Sequence, residues 1–422
     1  MADSYVVVGG GLAGMAAAAR LAKGGHAVEL YELSDRLGGR WAPYALGSVT
    51  VDDAPAVLGF PAPWRDLFRK SGRPLEAELT RAGYRLEPAG PATIVFCDGT
   101  ELRWSSDRGE QLSALGAACG RPVAERWRDL VDRLDGVWQA LRPLGWETEL
   151  QGRRRLTRDV RRRLLGRQSL ARLGRDLAHP HLEALVRSVA YRQGSVPERT
   201  PAFAAVDLSL DRTFGRWQVE GSDEAGRSSV LIETLAGRLA LRKVTVHLNT
   251  PVQRLERREA GLAVWAGDEQ RPAAAVVVST DPWHTFTDLF VEKSARATRR
   301  GLRRLRPAVA PTVRHSLIDQ PSTRVSETMS LTAEGVPTIE YRRPVGVQTV
   351  LSVHDFRSGG PRPAYGAAWH GRRSWLDRPP ITTEVPGLFL AGPWSPAGSG
   401  ISAEILSGAL ATYGADPRLI PT

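Results

Sequence analysis

Tyr5-Val6-Val7-Val8-Gly9-Gly10-Gly11-Leu12-Ala13-Gly14 is followed by the alanine-rich stretch Ala16 to Leu21 and then by Ala27-Val28-Glu29-Leu30-Tyr31-Glu32. The β-branched run reads as a strand, the alanine-rich stretch as a helix and the third segment as a second strand. Gly9, Gly11 and Gly14 fall between the first strand and the helix with the spacing G-x-G-x-x-G. At that spacing the first glycine permits the tight turn, the second the close approach of a pyrophosphate, and the third close packing of helix on strand. The helix start, at Leu12 and Ala13, turns free amides and the positive dipole end toward the phosphates. Glu32 closes the second strand, where a carboxylate accepts hydrogen bonds from a ribose. The segment therefore predicts a dinucleotide-binding strand-helix-strand unit of Rossmann type.

The next segment, Asp35 to Arg40, carries Gly38 and Gly39 followed by Arg40. A second pair of glycines brings backbone to the pyrophosphate again, and the guanidinium adds charge. This combination resembles the flavin amine oxidase and phytoene desaturase superfamily, whose members place a Glu and then Gly-Gly-Arg after the first fingerprint. The resemblance implies FAD as the cofactor. It continues through Val51-Asp52-Asp53-Ala54-Pro55-Ala56-Val57-Leu58, similar to the family segment F-D-x-G-P-x-V-L, which lies along the flavin. It implies adenine contact at Val252, after Thr250-Pro251, and a buried strand at Val276 to Val278. Near the C-terminus, Pro386 to Gly392 resembles the family's last strand, and Gly400-Ile401-Ser402-Ala403 the start of a helix aimed at the flavin, where a positive dipole end favours the reduced ring.

The implied fold class is α/β: a Rossmann-type FAD-binding domain with an interleaved α+β substrate domain. The expected boundaries are 1–70, 221–289 and 376–422 for the nucleotide part, and 71–220 and 290–375 for the substrate part. Three departures from the family pattern bear on cofactor affinity: Ala54 in place of a glycine, Arg227-Ser228 in place of Gly-Met, and Pro393 where relatives have an acid or a free amide. Looser FAD binding is expected from the first and third.

With 422 residues the chain is long enough for two or three domains at about 150 residues each. Hydrophobic residues at 42% and charged residues at 24% are ordinary for a folded globular chain and too apolar for a disordered one. The net charge of +11 draws the protein to anionic surfaces. No helix-turn-helix or aromatic-basic RNA module accompanies it, so no nucleic acid partner is expected. Cys97 and Cys119 are too few for a disulfide framework, which suggests a reducing, cytoplasmic compartment. The residues before Tyr5 carry no basic, apolar or cleavage signal, so a folded strand rather than a targeting segment is expected.

Arginines cluster between Arg153 and Arg175, with Leu156, Val160 and Leu164 at helical spacing among them. A helix of that pattern either packs its apolar stripe on the core or lies in an anionic membrane interface, and peripheral membrane contact is carried as an alternative. A second basic run, Arg299 to Arg306, has Leu302 and Leu305 at helical spacing. No catalytic residue is legible from spacing. The histidines are scattered, no metal-ligand pair stands out beyond His179 and His181 around Pro180, and no metal site is assigned. Tyr365, Trp369 and His370 occupy the place where relatives line the substrate face.

The expected activity is hydride removal from a lipophilic, isoprenoid-like substrate to flavin, leaving a new double bond. The cofactor carries the chemistry while the protein orders substrate and excludes water. An amine-oxidase-like dehydrogenation with a more polar pocket, flavin-dependent saturation, and a non-enzymatic escort-like lipid binder are the alternatives.

Overall fold

The computed structural model describes residues 4–150 and 152–421. Five parallel strands form the nucleotide-binding sheet in the order Leu388–Leu390, Ala275–Val278, Ser4–Val8, Ala27–Tyr31, Thr245–His247. Ser4–Val8 is central and nearly continuously apolar, as a parallel strand covered on both faces must be. Its alternation sorts side chains between two cores. Tyr5 and Val7 join the cluster formed with helices Leu12–Lys23 and Ser229–Leu241, while Val6 and Val8 face Val252, Leu255 and Leu262. Those last three belong to an antiparallel meander, Val252–Arg257, Leu262–Ala266 and Glu269–Ala273, that covers the other face.

Helix Ile401–Ala415 packs along Leu12–Lys23. The approach depends on small residues, because a Cβ at Gly408 would lie 2.5 Å from the Ala13 carbonyl oxygen. Leu75 and Leu79, on the helix after residue 71, are buried in this same core.

A second, six-stranded sheet runs Val309–Ile318, Gln348–Pro361, Pro337–Val345, Ser326–Leu331, Ala92–Val95, Glu101–Trp104. Pairing is antiparallel except between Ser326–Leu331 and Ala92–Val95. The hairpin turn at Asp98-Gly99-Thr100 uses a left-handed Gly99 at φ +85°. A helical layer packs nearby. Its longest member, Arg121–Leu141, buries Val123, Trp127, Leu130, Leu134, Val137 and Leu141 along one stripe.

The arginine-rich segment departs from a single amphipathic helix. Two short α-helices, Arg158–Arg163 and Leu170–Asp176, form there instead, and the chain turns between them at Leu165, which has φ +58°. Leu156 and Leu164 are buried in the helical core and Val160 packs against it, so the apolar stripe is used internally while the arginines around it stay exposed. The second basic run behaves similarly: Leu302 and Leu305 are buried, and Arg299 donates to the carbonyls of Phe286, Phe290 and Glu292. No helix among the described residues is long and apolar enough to cross a membrane.

Candidate functional site

The glycine turn after the first strand is held by backbone bonds: Gly9 N–H donates to the Tyr31 carbonyl at 2.8 Å, and Gly38 N–H to the Gly10 carbonyl at 2.8 Å. Each glycine has a separate reason to be there. A Cβ at Gly14 would lie 2.1 Å from the Gly9 oxygen, and one at Gly39 would lie 3.1 Å from the Gly11 Cα. At Gly11 the nearest atom is the Ser279 hydroxyl oxygen at 3.9 Å, so its missing side chain opens a groove rather than relieving a protein contact. The helix starting at Leu12, with Ala13 and Gly14 in its first turn, has no side-chain cap, which leaves its amides directed at that groove. Helix Ile401–Ala415 is likewise uncapped, and Gly400 before it faces open space.

Glu32 Oε2 accepts the Gly10 N–H at 2.6 Å, while Oε1 accepts from the Ser34 N–H and hydroxyl at 2.9 and 2.7 Å. A carboxylate has about four acceptor positions, so one on Oε2 remains for a ribose hydroxyl. Val252 stands beside this strand end, whose Glu32 carbonyl accepts the Thr250 N–H at 2.9 Å. Arg40 is more constrained than its sequence position suggests. Its Nη2 donates to Glu404, and its guanidinium lies between Trp41 and Tyr365, 4.1 and 4.5 Å from their rings. Its buried Nε has no protein partner, so the guanidinium keeps donors to spare for a cofactor phosphate.

The loop from Asp52 to Val57 is fastened from below. Buried Asp52 accepts the Ala54 N–H at 3.1 Å and the Ser229 N–H at 2.9 Å, and Ser228 donates to the Pro55 carbonyl at 2.6 Å. Burial pushes the Asp52 carboxyl up, against the opposing pull of Arg343. Ala56 packs with Ala225, Ile339 and Tyr341, and Arg227 is tied to Glu224 and Glu233. Of the two residues that depart from the family pattern here, Ser228 thus anchors this loop, while Arg227 ties Glu224 to Glu233 beside it.

Pro55, Val57, Arg40, Tyr365, Gly400 and Ile401 open onto a cavity of about 360 Å³ between the nucleotide domain and the six-stranded sheet. Most of its wall is apolar, with Leu58, Phe60, Trp104, Trp146, Met329 and Ile339 contributing. One end is charged. Arg216, 6% exposed, reaches Glu327 at 2.8 Å and Asp211 at 3.4 Å, and Asp207 and Arg192 line the same region. Burial raises the Asp211 carboxyl and outweighs the nearby Arg216, and burial likewise holds the Tyr341 hydroxyl well above its ordinary value. Gly59 makes room for Asp211, since a Cβ there would come 2.0 Å from Oδ1.

On the same sheet, with its ring 5.4 Å from that of Tyr341, His354 is driven down to about 4 by burial and by neighbouring His315. Beside it, Asp53 accepts from the Tyr44 hydroxyl at 2.8 Å and pairs with His315 at 3.1 Å, while His315 contacts the Ser352 hydroxyl at 2.8 Å. None of these charged groups was singled out from sequence, because they come from segments far apart in the chain with no common spacing. The alternation Val350, Ser352, His354 along one strand was the available signal.

Two of the three residues expected on the substrate face lie elsewhere. Trp369 is in the helical core, donating to Gln193 at 2.9 Å and packing on Phe203 and Arg378. His370 sits at the surface against Arg199. Gly392 is buried under Trp394, where a Cβ would meet the indole at 2.3 Å, and neither it nor Pro393 reaches the cavity wall.

Residues 12–355 match the model of the flavin containing amine oxidoreductases. The chain belongs to that family. Its cofactor is accordingly FAD, and the two uncapped helix starts, the groove at Gly11 and the spare Glu32 acceptor fit that group. Among relatives, the chain is 28% identical over 284 residues to a phytoene dehydrogenase of Streptomyces griseus, covering 66% of this chain and 54% of that one. It is 28% identical over 287 residues to a hydroxyneurosporene desaturase of Cereibacter sphaeroides, covering 66% and 56%. The matches thus span about half the length of these relatives. A putrescine oxidase solved with putrescine bound shares the fold with a TM-score of 0.69 at 16% identity, over 100% of both chains. A fatty acid isomerase from P. acnes does so with a TM-score of 0.60 at 14% identity, over 97% of each.

Proposed function

We propose that this protein is an FAD-dependent dehydrogenase that takes hydride from a carbon of a lipophilic substrate. The observation that carries the reading is the apolar cavity beside the loop from Asp52 to Val57 and the helix start at Ile401. When bound, FAD supplies the two-electron acceptor, and the chain's work is to bind, orient and keep out water. Leu58, Phe60, Trp104 and Trp146 hold the carbon skeleton, and the aromatic rings restrict its orientation. A cavity of about 360 Å³ falls in the range of drug-sized ligands. A long isoprenoid would therefore enter by one end only.

The charged end of the cavity supports a second reading, dehydrogenation next to nitrogen. Asp207, Asp211 and Glu327 outnumber Arg192 and Arg216, which suits a cationic or hydroxylated group. The named relatives include desaturases, and the putrescine oxidase neighbour is named for an amine.

Anaerobic mixing of the FAD-loaded protein with substrate panels separates the two. Bleaching of the visible flavin absorbance by nitrogen-free polyenes or their saturated precursors supports desaturation. Bleaching by amines alone, weakened by Asp211→Asn, supports the second reading. A protein that binds FAD but is reduced by neither class is not a dehydrogenase of these substrates.

A further inference from the structure

The hairpin turn at Asp98, the end of helix Arg108–Cys119 and the start of helix Pro180–Arg192 converge at His181. Cys119 Sγ stands 3.3 Å from His181 Nδ1, and the donor atoms of Cys119, His179 and His181 lie within 4.8 Å of one another. His181 Nε2 pairs with the Asp98 carboxylate at 2.9 Å. With that nitrogen donating its proton to Asp98, Nδ1 is left as a bare lone pair facing Cys119. His179 Nδ1 is buried with no protein partner. Pro180 follows His179, which is held extended at φ −154° and ψ 129°, and so both imidazoles come from one short H-P-H segment.

We propose that Cys119, His179 and His181 bind a zinc ion, with Asp98 orienting His181 and a water completing the tetrahedron. Two imidazoles and a thiolate are borderline-soft donors that select zinc over magnesium or calcium. Zinc bonds of about 2.0–2.3 Å set donors roughly 3.5 Å apart, close to the spacing already present between Cys119 and His181. Binding displaces the Cys119 thiol proton to solvent, and the thiolate and the Asp98 carboxylate together balance the dication. A thiol nucleophile is the less suitable use of the same residues, because Cys119 ends its helix, where the dipole's negative pole opposes a free thiolate and favours a bound cation. The ion would tie the hairpin to both helices. Ala92 and Ile94, on the strand leading into that hairpin, line the cavity, so the clamp stiffens one of its walls.

The test uses the full-length, FAD-loaded protein, stripped with a chelator and titrated with cobalt(II), then with zinc(II). The expected result is a thiolate-to-cobalt absorption band that saturates at one equivalent and is abolished by zinc. Cys119→Ser should lose the band, whereas Cys97→Ser, altered at an exposed cysteine outside the cluster, should keep it. Asp98→Asn should weaken metal affinity by about 10- to 100-fold, as removing an orienting carboxylate does. Flavin content and far-UV circular dichroism show that each variant is folded. If Cys119→Ser fails to fold, His179→Gln takes its place and should lower affinity without removing the thiolate. A folded parent protein that gives no thiolate band, or a band that follows Cys97 instead of Cys119, overturns the proposal.

Discussion

At Gly11 and Glu32 the chain is shaped for a ligand rather than for itself. A Cβ at Gly11 would meet no protein atom closer than 3.9 Å, so Gly11→Val is expected to fold and still exclude FAD by filling the groove. Glu32→Ala removes acceptors for the ribose and for Gly10. Charged hydrogen bonds contribute about 1.5–3 kcal/mol, so a weakening of roughly ten- to a hundredfold in the FAD dissociation constant is expected in a titration of apo-protein. Full flavin occupancy in a folded Gly11→Val protein would refute the assignment of this groove. Ala54 reads differently in the fold than in the sequence. The non-glycine residues with left-handed backbone among those described are Leu165, Ala178, Lys243 and Asn249, so position 54 needs no glycine freedom. Its methyl packs with Leu12, Trp41 and Trp64. Ala54→Gly is therefore expected to lower stability by about 0.5–1 kcal/mol in a denaturant melt, with no tighter FAD binding.

His354 illustrates how burial sets a pH dependence. Its folded value of about 4 lies below the ordinary 6.5, so between those values the unfolded chain binds more protons than the folded one. Stability then rises with pH across that window and is lost as pH falls toward 4, by about 3 kcal/mol for a shift of this size. His354→Gln should flatten the corresponding part of the stability-pH curve measured by urea unfolding. An unchanged slope would mean that His354 takes up its proton in the folded state without penalty.

Among the elements, the arginine-rich segment keeps its apolar periodicity over a longer stretch than helix Arg158–Arg163 spans. Leu156, Val160 and Leu164 do point one way, but that way is inward, onto Leu170, Leu173 and the long helix Arg121–Leu141. Leu164→Ala is expected to cost about 2–5 kcal/mol, as truncation of a fully buried leucine does. The arginines around the stripe remain exposed, and we propose that they attract anionic lipid headgroups. Replacing Arg154, Arg158, Arg161 and Arg162 with Gln should then weaken binding to phosphatidylserine vesicles by about 1 kcal/mol per charge at low salt. Flavin content should not change. Failure of the parent protein to bind such vesicles would rule out this role.

Across the whole molecule, the cavity exists because two sheets with separate cores meet along the loop from Asp52 to Val57. Arg216 is the contact on which its charged end depends. It pairs with Asp211 and Glu327, and burial opposes the charge of Asp211 and of Arg216 itself. Arg216→Met is expected to destabilise the protein by about 3–5 kcal/mol, because it leaves two carboxylates facing each other without a counter-ion. Adding Asp211→Asn and Glu327→Gln to that variant should recover much of the loss, and thermal melts of the three proteins measure it. No recovery would show that the arginine acts through packing alone.

The sequence by itself determined the nucleotide-binding half: the strand, the glycine turn, the helix and Glu32 lie close together in the chain, and their geometry follows from local backbone rules. It also marked Pro55, Val57, Tyr365, Gly400 and Ile401, all of which reach the cavity. Only the tertiary structure decided that Trp369, His370 and Gly392 do not, since burial of a side chain depends on what packs over it. The same holds for Asp211, Arg216 and Glu327, which are supplied by a short helix, the connection after it and a strand more than a hundred residues on. Cys119 likewise meets His181 only through packing, the two being 62 positions apart in the chain. Electrostatic partners of this kind leave no periodic trace in a sequence, because charge pairs act through distance in space and not along the backbone.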